Sequence, residues 1–397
     1  MLPVNLNPKH HKVEAYPFCD MSIKAERKTL HFSCRVVAGV AALALVLFTA
    51  APLLRSDTWW IRIFDFPRIQ IAVLLGLTLA GYAVLRLYGQ LRTWDYALVA
   101  AVVLALAWQI VSIAPYTQFF PTQMSDSYAE DDSNRISILI YNVLYDNREV
   151  AALRDLIRDT DPDIILLSEP TQWWFEQLDG LEEDYPHTLF QPQENHYGKL
   201  LYSRLELEDP EIRFLIDPKI PSIRTKVRLR SGTLITLYGV HPRPPGLKPP
   251  DEEEDEDSDR EDTDMRDAEL LSVAKEVEEL GNVPVIVAGD FNDVAWSHTT
   301  HLFQRISGLL DPRVGRGFIN TFDTKNPLLR YPLDHVFASP HFLLVELRRL
   351  PDIGSDHFPM LVILDYNPEA SLDDKPEPDA GDEEEADEAI EEGKNND

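Results

Sequence analysis

Cysteine is nearly absent from this chain: Cys19 and Cys34 are the only two among 397 residues. Both precede the first long apolar run, so no disulfide can form within the remainder of the chain. Cysteine usage therefore does not define the cellular compartment, which has to be inferred from the order of apolar and charged segments.

Basic residues are also scarce: 37 Lys and Arg stand against 67 Asp and Glu, a formal net charge of −30. Most of the excess lies in two tracts, since residues 251–264 hold eleven acidic residues and one basic residue, and residues 373–397 hold thirteen and two. The tracts contribute −10 and −11, which leaves about −9 on the rest, an ordinary acidic surface. Proteins that bind nucleic acid usually carry a basic footprint, so the composition disfavours DNA or RNA as a partner.

Three apolar runs lie near the N-terminus: Val36–Leu54, Ile69–Leu85 and Tyr96–Ala114. Each is long enough to span a hydrocarbon core of about 30 Å. Aromatic residues that suit a membrane interface lie near their ends: Trp59, Trp60, Tyr88, Trp94, Tyr96 and Tyr116. We predict a transmembrane anchor of three helices over residues 36–115. Three buried soluble helices, or a cleaved signal peptide ending near residues 49–51, are the alternatives. The runs lack amphipathic periodicity and the leader is long, which disfavours both.

The distribution of Lys and Arg predicts the orientation of this anchor. Six basic residues precede the first apolar run, three lie in the first loop, two lie in the second, and residues 93–134 have none. A cytoplasmic N-terminus over residues 1–35 places eight basic residues inside and three outside, as the positive-inside rule favours. The chain after the third helix is then outside the cytoplasm, so we predict an integral membrane protein whose main domain is periplasmic.

A domain of residues 135–366 follows a polar linker at residues 116–134, and this length is sufficient for one well-buried core. Within it, the acidic insertion at residues 242–265 is too polar to pack, and the acidic tail at residues 367–397 is predicted to be disordered. Buried strands alternate with helices of clear apolar periodicity, such as residues 148–159 and 266–280. This pattern predicts an α/β fold with mixed sheets and the site at the strand ends.

Polar residues mark the ends of the predicted strands. Four buried strands end at Asn142, Glu169, His241 and Asp290, and two more begin beside Asp334 and beside Asp356-His357. The apolar run Val283–Ala288 stops at Gly289. Asp290 and Asn292 follow at alternate positions, so on extended backbone their side chains point to the same side of the chain. If the last two strands run antiparallel to some of the others, all of these carboxylate, amide and imidazole groups meet at one edge of the core.

These residues form motifs in a fixed order: Tyr141-Asn142-Val143-Leu144, Ser168-Glu169-Pro170, Gly239-Val240-His241-Pro242, Gly289-Asp290-Phe291-Asn292, Leu333-Asp334-His335 and Gly354-Ser355-Asp356-His357. The series resembles the endonuclease/exonuclease/phosphatase superfamily, which includes deoxyribonuclease I-like nucleases, neutral sphingomyelinases and inositol-polyphosphate 5-phosphatases. The resemblance covers residues 135–366. It implies a four-layered α/β sandwich and metal-assisted hydrolysis of a phosphate ester, and the three helices resemble a bacterial membrane-anchored branch.

The resemblance also implies a role for each site residue. Glu169 is expected to bind Mg²⁺, with Mn²⁺ as the alternative, Asn142 to support Glu169 or the phosphate, and Asp356 to supply a second carboxylate near the metal. His357 is expected to act as general base or phosphate contact, held in one tautomer by Asp334.

Three further residues complete the expected constellation. Asp290 is expected to orient or deprotonate the attacking water, and Asn292 to donate to a phosphoryl oxygen. His241 is expected to donate to the phosphate or to protonate the leaving oxygen. Four other histidines, His187, His196, His298 and His301, are interpreted as surface or structural residues, and His335 as a packing residue.

One position departs from the pattern, because many nuclease members have an acidic residue where this chain has Leu144. The departure leaves a non-catalytic binding module as the competing function, and a nuclease as the alternative within the enzymes. The acidic surface favours a compact phosphoester substrate, such as a lipid headgroup, over long DNA or RNA. The sequence gives no sign of an obligate protein partner.

Overall fold

The computed structural model describes residues 17–246, 262–370 and 375–395. The chain divides into two compact units. One consists of the described part of Met1–Phe48 together with Ile71–Ala107, and the other consists of Thr49–Gln70 and the described part of Trp108–Asp397. The predicted acidic insertion falls largely on residues 247–261, which lie outside the described residues.

The N-terminal part contains the helices α1 (Pro17–Ala50), α2 (Trp59–Arg62), α3 (Arg68–Tyr88) and α4 (Thr93–Ile113). Three stretches are long and apolar enough to cross a membrane: Lys28–Leu54, Arg68–Tyr88 and Thr93–Tyr116. They agree with the three predicted apolar runs, although α1 begins well before Val36. Within the first unit, α1, α3 and α4 share one apolar cluster that includes Ala42, Leu75, Tyr82 and Val102.

The rest of the chain contains eleven strands and five further helices in the described residues. The strands are β1 (Arg135–Asn142), β2 (Ile164–Ser168), β3 (His187–Gln191), β4 (Lys199–Ser203), β5 (Leu207–Arg213), β6 (Ser222–Arg228), β7 (Leu234–Val240), β8 (Val285–Asp290), β9 (Asp334–Ala338), β10 (Phe342–Arg349) and β11 (Met360–Tyr366). The helices are α5 (Val150–Thr160), α6 (Gln172–Gln177), α7 (Asp264–Leu280), α8 (His298–Ser307) and α9 (Asp382–Asn395).

Two mixed sheets form, in the orders β10-β11-β1-β2-β4-β3 and β5-β6-β7-β8-β9. In the first sheet β1 runs parallel to β2 and antiparallel to β11. In the second, β7 runs parallel to β8, and β9 runs antiparallel to β8. The last strands are therefore antiparallel to their neighbours, as the sequence requires for the polar strand ends to meet.

The sheets pack face to face, and helices cover their outer faces. Alternate residues of β1 point to opposite sides: Ile138 lies in the cluster between the sheets, whereas Leu139 packs with Leu153 of α5 and Trp174 of α6. On the second sheet, Val287 packs against α7, α8 and α9 in another cluster. The arrangement is the predicted four-layered α/β sandwich.

The structure differs from the prediction for the C-terminal tail. The tail was expected to be disordered, yet residues 382–395 form α9, and Ala386 is fully buried in the cluster with α7 and α8. Arg305 of α8 makes an ion pair with Asp382 at 2.6 Å, so basic partners offset part of the acidic charge of the helix. The linker is also partly packed, since Met124 is fully buried and Ser127 N–H donates to Leu344 of β10.

The connection between α1 and α3 packs on the segment that follows β8. Trp296 Nε1 donates to the Asp65 carbonyl oxygen at 2.8 Å, and Arg62 Nη2 donates to Thr299 Oγ1 at 2.9 Å. Ser297 caps α8 by accepting from Thr300 N. This connection is therefore a structural part of the unit that contains the sheets, and it holds the chain immediately after Asp290.

Candidate active site

The turn after β8 places Asp290 and Asn292. Gly289 has a φ of 144°, and a Cβ at this position would lie 2.0 Å from the Val240 carbonyl oxygen of the adjacent β7. Only glycine permits this close approach of the two parallel strands. Asp290 Oδ1 accepts from Asn292 N at 2.9 Å, and Asn292 Nδ2 donates to the Pro242 carbonyl oxygen at 2.9 Å. Both side chains are thus fixed by the turn itself.

The ends of β1 and β2 bring Asn142 against Glu169. Asn142 Nδ2 donates to Glu169 Oε1 at 2.7 Å and to Asp290 Oδ2 at 3.1 Å, so one amide joins the two sheets. Its oxygen accepts from Leu144 N at 3.0 Å. Asn142 therefore donates a hydrogen bond to Glu169. Of the two roles expected for it, support of Glu169 or of the phosphate, this contact fits the first. Glu169 has a φ of 63°, and its Oε2 also accepts from Tyr145 N at 3.3 Å.

His357 is held between two carboxylates. Its Nδ1 lies 2.8 Å from Asp334 Oδ2, and its Nε2 lies 3.5 Å from Asp290 Oδ2. Asp334 faces Asp290 across the antiparallel β8–β9 pair, which explains why the two acids converge. The neighbouring Ser355 donates from Oγ to the Asn142 carbonyl oxygen at 2.8 Å and thereby ties this segment to β1.

His241 completes the centre from the end of β7. Its Nε2 lies 3.7 Å from Asp290 Oδ2 and 3.9 Å from Glu169 Oε1. The ring is almost fully buried, and its Nδ1 has no hydrogen-bond partner among the described residues. The carboxylate of Asp290 is therefore approached by three donors, from Asn142, His241 and His357.

The pKa values of these four side chains are shifted in different directions. Burial, together with the charge of Asp334, raises the pKa of Asp290 to about 7. Burial opposes the charged form of His357, yet Asp334 and Asp290 outweigh it and raise its pKa well above the usual value. Burial lowers the pKa of His241 to about 3, and nearby Lys199 adds to this effect. Burial also opposes ionisation of Glu169, but hydrogen bonds from His196 and Asn142 help to lower its pKa to about 2.

The donor set fits a hard divalent cation. Asp290, Asp334 and His357 offer ligand atoms that lie within 4.8 Å of one another, and all three residues are buried. Asp334 Oδ1 is buried and lacks a hydrogen-bond partner among the described residues. Glu169 adds an ionised, partly exposed carboxylate at the same edge. Unpaired carboxylate oxygens in a buried site are the ligands that Mg²⁺ and similar cations prefer.

The structure brings all eight predicted site residues to one edge of the two sheets. Asp356 is half-buried, and burial raises the pKa of its carboxyl group. It lies beside His357 and next to the loop at Thr324, whose N–H donates to the Asp356 carbonyl oxygen at 2.9 Å.

Two site residues were not predicted. His196 was interpreted as a surface or structural residue, but its Nδ1 lies 3.7 Å from Glu169 Oε2 and its ring stacks on Tyr145. Lys199 is fully buried beneath the site. Its Nζ donates to Ser168 Oγ and to the Val240 carbonyl oxygen, both at 2.9 Å. A lysine at the start of an otherwise apolar strand was the available signal for it.

Three other histidines among the described residues hold structural or surface positions. His335 packs as predicted: it is fully buried between aromatic rings, and its nitrogens contact Arg313 Nη2 at 2.7 Å and the Asp293 carbonyl oxygen at 2.8 Å. His298 pairs with Glu385 of α9, and His187 lies on the edge strand β3.

The chain is similar to known proteins over the region that contains these residues. A family model described as the Endonuclease/Exonuclease/phosphatase family matches residues 139–357, more than half of the chain. Similar solved structures include a humanized D. rerio TDP2 with 14 mutations, at 18% identity and a TM-score of 0.47, covering 59% of this chain and 100% of that one. A family protein from Bacteroides thetaiotaomicron has 18% identity and a TM-score of 0.47, covering 59% and 96%. The human Nocturnin catalytic domain with bound sulfate has 17% identity and a TM-score of 0.45, covering 59% and 95%. No curated protein matches the chain.

Proposed function

Because this chain belongs to the endonuclease/exonuclease/phosphatase family, we propose that it is a membrane-anchored phosphoesterase that hydrolyses a phosphate ester with the help of a divalent metal ion. The observation that carries the proposal is the position of Asp290 Oδ2, within 3.1–3.7 Å of donor atoms on Asn142, His241 and His357. A carboxylate surrounded by donors at a sheet edge suits a reaction in which water attacks an anionic phosphorus centre.

Asp290 is the proposed base. A pKa of about 7, set mainly by burial, is close to the value that serves proton abstraction at neutral pH. Since His357 carries a raised pKa between Asp334 and Asp290, it is protonated and donates to a phosphoryl oxygen instead of abstracting a proton. The pKa of His241, about 3, keeps that ring neutral, so it donates a hydrogen bond and does not protonate the leaving group.

The proposed cation is Mg²⁺, or Mn²⁺, held by Glu169 and Asp356. Such an ion supplies Lewis-acid stabilisation of the charge that develops on the phosphoryl oxygens. Asn142 orients Glu169 through its 2.7 Å hydrogen bond, and Asn292 is placed to donate from the turn beside Asp290. The protein residues thus preorganise the site before any substrate binds.

The proposed topology is an integral membrane protein with a periplasmic catalytic domain. Contacts of the α1–α3 connection support three spanning helices, because Arg62 and Asp65 pack on the domain and must lie on the same side of the membrane as the domain. With three spans, the connection after the first helix and the domain after the third are on the same side. The periplasmic side itself rests on the distribution of Lys and Arg. The three arginines of this connection have carboxylate partners: Arg55 pairs with Glu385, and Arg62 and Arg68 both pair with Asp65.

The experiment uses the full-length protein in nanodiscs with Mg²⁺ and the soluble esters bis-p-nitrophenyl phosphate and p-nitrophenyl phosphate. Turnover that EDTA abolishes and Mg²⁺ restores is expected. Glu169→Gln and His357→Asn should each lose at least about 100-fold in kcat, the usual scale for one catalytic group.

Two matched variants control this experiment: Glu182→Gln on the exposed surface, and His187→Asn on the edge strand. Both should stay within about twofold of the wild type, as surface substitutions do. Wild-type rates in the two site variants would remove these residues from the mechanism. Metal binding without turnover of either ester would instead support the non-catalytic module.

A further inference from the structure

The loop of residues 322–331 connects the active site to the start of a candidate membrane helix. At one end Phe322 pairs with His357, with ring centroids 5.1 Å apart, and Thr324 N–H donates to the Asp356 carbonyl oxygen at 2.9 Å. Further along the loop, the Leu328 carbonyl oxygen accepts from Gln70 Nε2 at 2.6 Å. Gln70 is the third residue of α3, whose whole length is apolar enough to span a bilayer.

Two apolar side chains of this loop are exposed on the protein surface. Residues Pro327–Leu329 form a turn of 3-10 helix, capped by Asn326, whose side chain accepts from Leu328 N at 3.1 Å. Leu328 is 76% exposed and Leu329 is 45% exposed. Exposed leucines are common on soluble surfaces, but these follow a capped turn bonded to the first turn of α3. Leu328 therefore lies beside the first turn of α3.

Two arginines flank the site on the side of this loop. The guanidinium groups of Arg330 and Arg349 lie over the ring of Phe358, 5.0 and 4.3 Å from its centroid. Within the described part of the chain neither forms a salt bridge, although the chain carries a net charge of −30. No neighbouring carboxylate therefore neutralises the positive charge of the pair, and burial and the charge of Arg330 lower the pKa of Arg349. Arg330 belongs to the loop that contacts His357 and Asp356, and Phe358 directly follows His357 in the sequence.

We propose that the 322–331 loop docks on the surface of the bilayer that holds the helices, and that the site takes a phosphate ester carried by a membrane lipid, with the anionic headgroup against Arg330 and Arg349. The proposal rests on the proposed function. Leu328 follows Thr324 by four positions, a span of at most about 14 Å, so the site lies within reach of a headgroup at the membrane surface. Leucines anchor the loop and arginines attract anionic lipid, the two contributions by which interfacial segments bind.

The first test compares lipid with soluble substrates for the full chain in nanodiscs. The discs contain phosphatidylcholine with phosphatidic acid, phosphatidylglycerol or a phosphatidylinositol phosphate, and the release of phosphate or phosphorylated headgroup is measured. The soluble arms are p-nitrophenyl phosphate, dibutanoyl versions of the same lipids, and an oligonucleotide. At least one bilayer lipid should be hydrolysed at least about tenfold faster than its dibutanoyl version. Faster turnover of every soluble version, or an oligonucleotide as the best substrate, would overturn the proposal.

The second test changes the loop. In a Leu328→Asp/Leu329→Asp variant the ratio of bilayer to soluble turnover should fall at least about tenfold, because two apolar anchors are lost. Phe214→Asp is the matched control: Phe214 is an apolar residue directly after β5 that is 44% exposed and lies outside the 322–331 loop. The control should keep the wild-type ratio, and an unchanged ratio in the loop variant would contradict docking.

A third measurement does not depend on catalysis. In a chain whose Cys19 and Cys34 are replaced by serine, an environment-sensitive fluorophore is attached through Leu328→Cys or, as the control, Phe214→Cys. Spin-labelled lipid in the disc should quench the first and not the second. Quenching without turnover of any ester would reject the proposed function and keep the docking. Turnover of soluble ester without quenching would reject the docking alone.

Discussion

Lys199 Nζ lies 2.9 Å from the Val240 carbonyl oxygen and so joins a strand of the first sheet to a strand end of the second. The same ammonium group donates to Ser168 Oγ at 2.9 Å. Ser168 and Val240 immediately precede Glu169 and His241. One buried amino group, whose pKa burial lowers to about 7, thus fixes the positions from which Glu169 and His241 project.

Replacement of Lys199 by methionine tests this positioning role. Lys199→Met removes both hydrogen bonds but also a buried charge, so the free energy of unfolding should change by less than about 2 kcal/mol. The value of kcat should fall about 10- to 100-fold with KM little changed, because misplaced groups lose stabilisation of the transition state. Lys226→Met, at an exposed ion pair with Asp209, is the control. Full kcat in Lys199→Met would exclude the role.

Gly289→Ala tests the contact between β7 and β8. The new Cβ would lie 2.0 Å from the Val240 carbonyl oxygen, at a φ of 144° that alanine rarely adopts. We expect a loss of at least about 3 kcal/mol in the free energy of unfolding, since steric overlap and backbone strain add. Gly281→Ala provides a comparison: Gly281 has a φ of 69° with open space around it. It should cost about 1 kcal/mol. Equal melting temperatures for the two variants would contradict this account.

The stability of the protein should depend on pH through His335. Arg313 donates to Nδ1 and the Asp293 carbonyl accepts from Nε2, so the buried ring is neutral, and burial lowers its pKa well below 6.5. Above pH 6.5 the ring is neutral in both states. As the pH falls below 6.5 only the unfolded chain binds the proton, so stability is lost by up to about 1.4 kcal/mol per pH unit.

Denaturant titrations between pH 4.5 and 7.5 measure this effect. His335→Gln can still accept from Arg313 but does not titrate, so its free energy of unfolding should fall less steeply with decreasing pH than that of the wild type. Parallel curves for the two proteins would show that another group dominates the dependence.

A chain of side-chain contacts leads from the α1–α3 connection to the catalytic turn. Arg62 donates to Thr299 at 2.9 Å, Thr299 Oγ1 donates to Asp267 Oδ2 at 2.9 Å, and Asp267 Oδ1 accepts from Arg266 Nε at 2.8 Å. Arg266 Nη1 then donates to the Asn292 carbonyl oxygen at 3.0 Å. The turn beside Asp290 is therefore supported from the opposite end of the sequence.

Arg62→Met should consequently affect both stability and catalysis. It leaves Asp65 and Asp267 with less compensation in a buried site, which should lower the free energy of unfolding by about 3 kcal/mol. It should also reduce kcat several-fold, although Arg62 does not touch the site. Arg158→Met removes a 72% exposed arginine from an ion pair with Asp155 and should change stability by less than about 1 kcal/mol. A normal kcat in Arg62→Met would show that loss of these contacts does not change the position of Asn292 enough to affect catalysis.

The sequence predicted mixed sheets and the convergence of eight polar residues at one edge, because polar groups at strand ends are visible in a one-dimensional pattern. The four layers followed from the family resemblance. It did not reveal α9, whose apolar face is only Ala386, Ala389 and Ile390 in an acidic segment. That helix is stabilised by distant basic partners on α7 and α8, which no local pattern contains. Lys199 was missed for a related reason: a strand with one lysine resembles a half-exposed strand until the second sheet is known to cover it.

The contact between Arg62 and Thr299 joins residues 237 positions apart, and this separation has a consequence for biosynthesis. In the proposed topology the connection that carries Arg62 is translocated first, and its partners leave the ribosome roughly 10–50 s later at the usual rate of synthesis. The catalytic turn gains its support only when both segments are on the same side of the membrane. A nascent chain whose domain stays in the cytoplasm would lack that support, so the enzyme is expected to mature only after export.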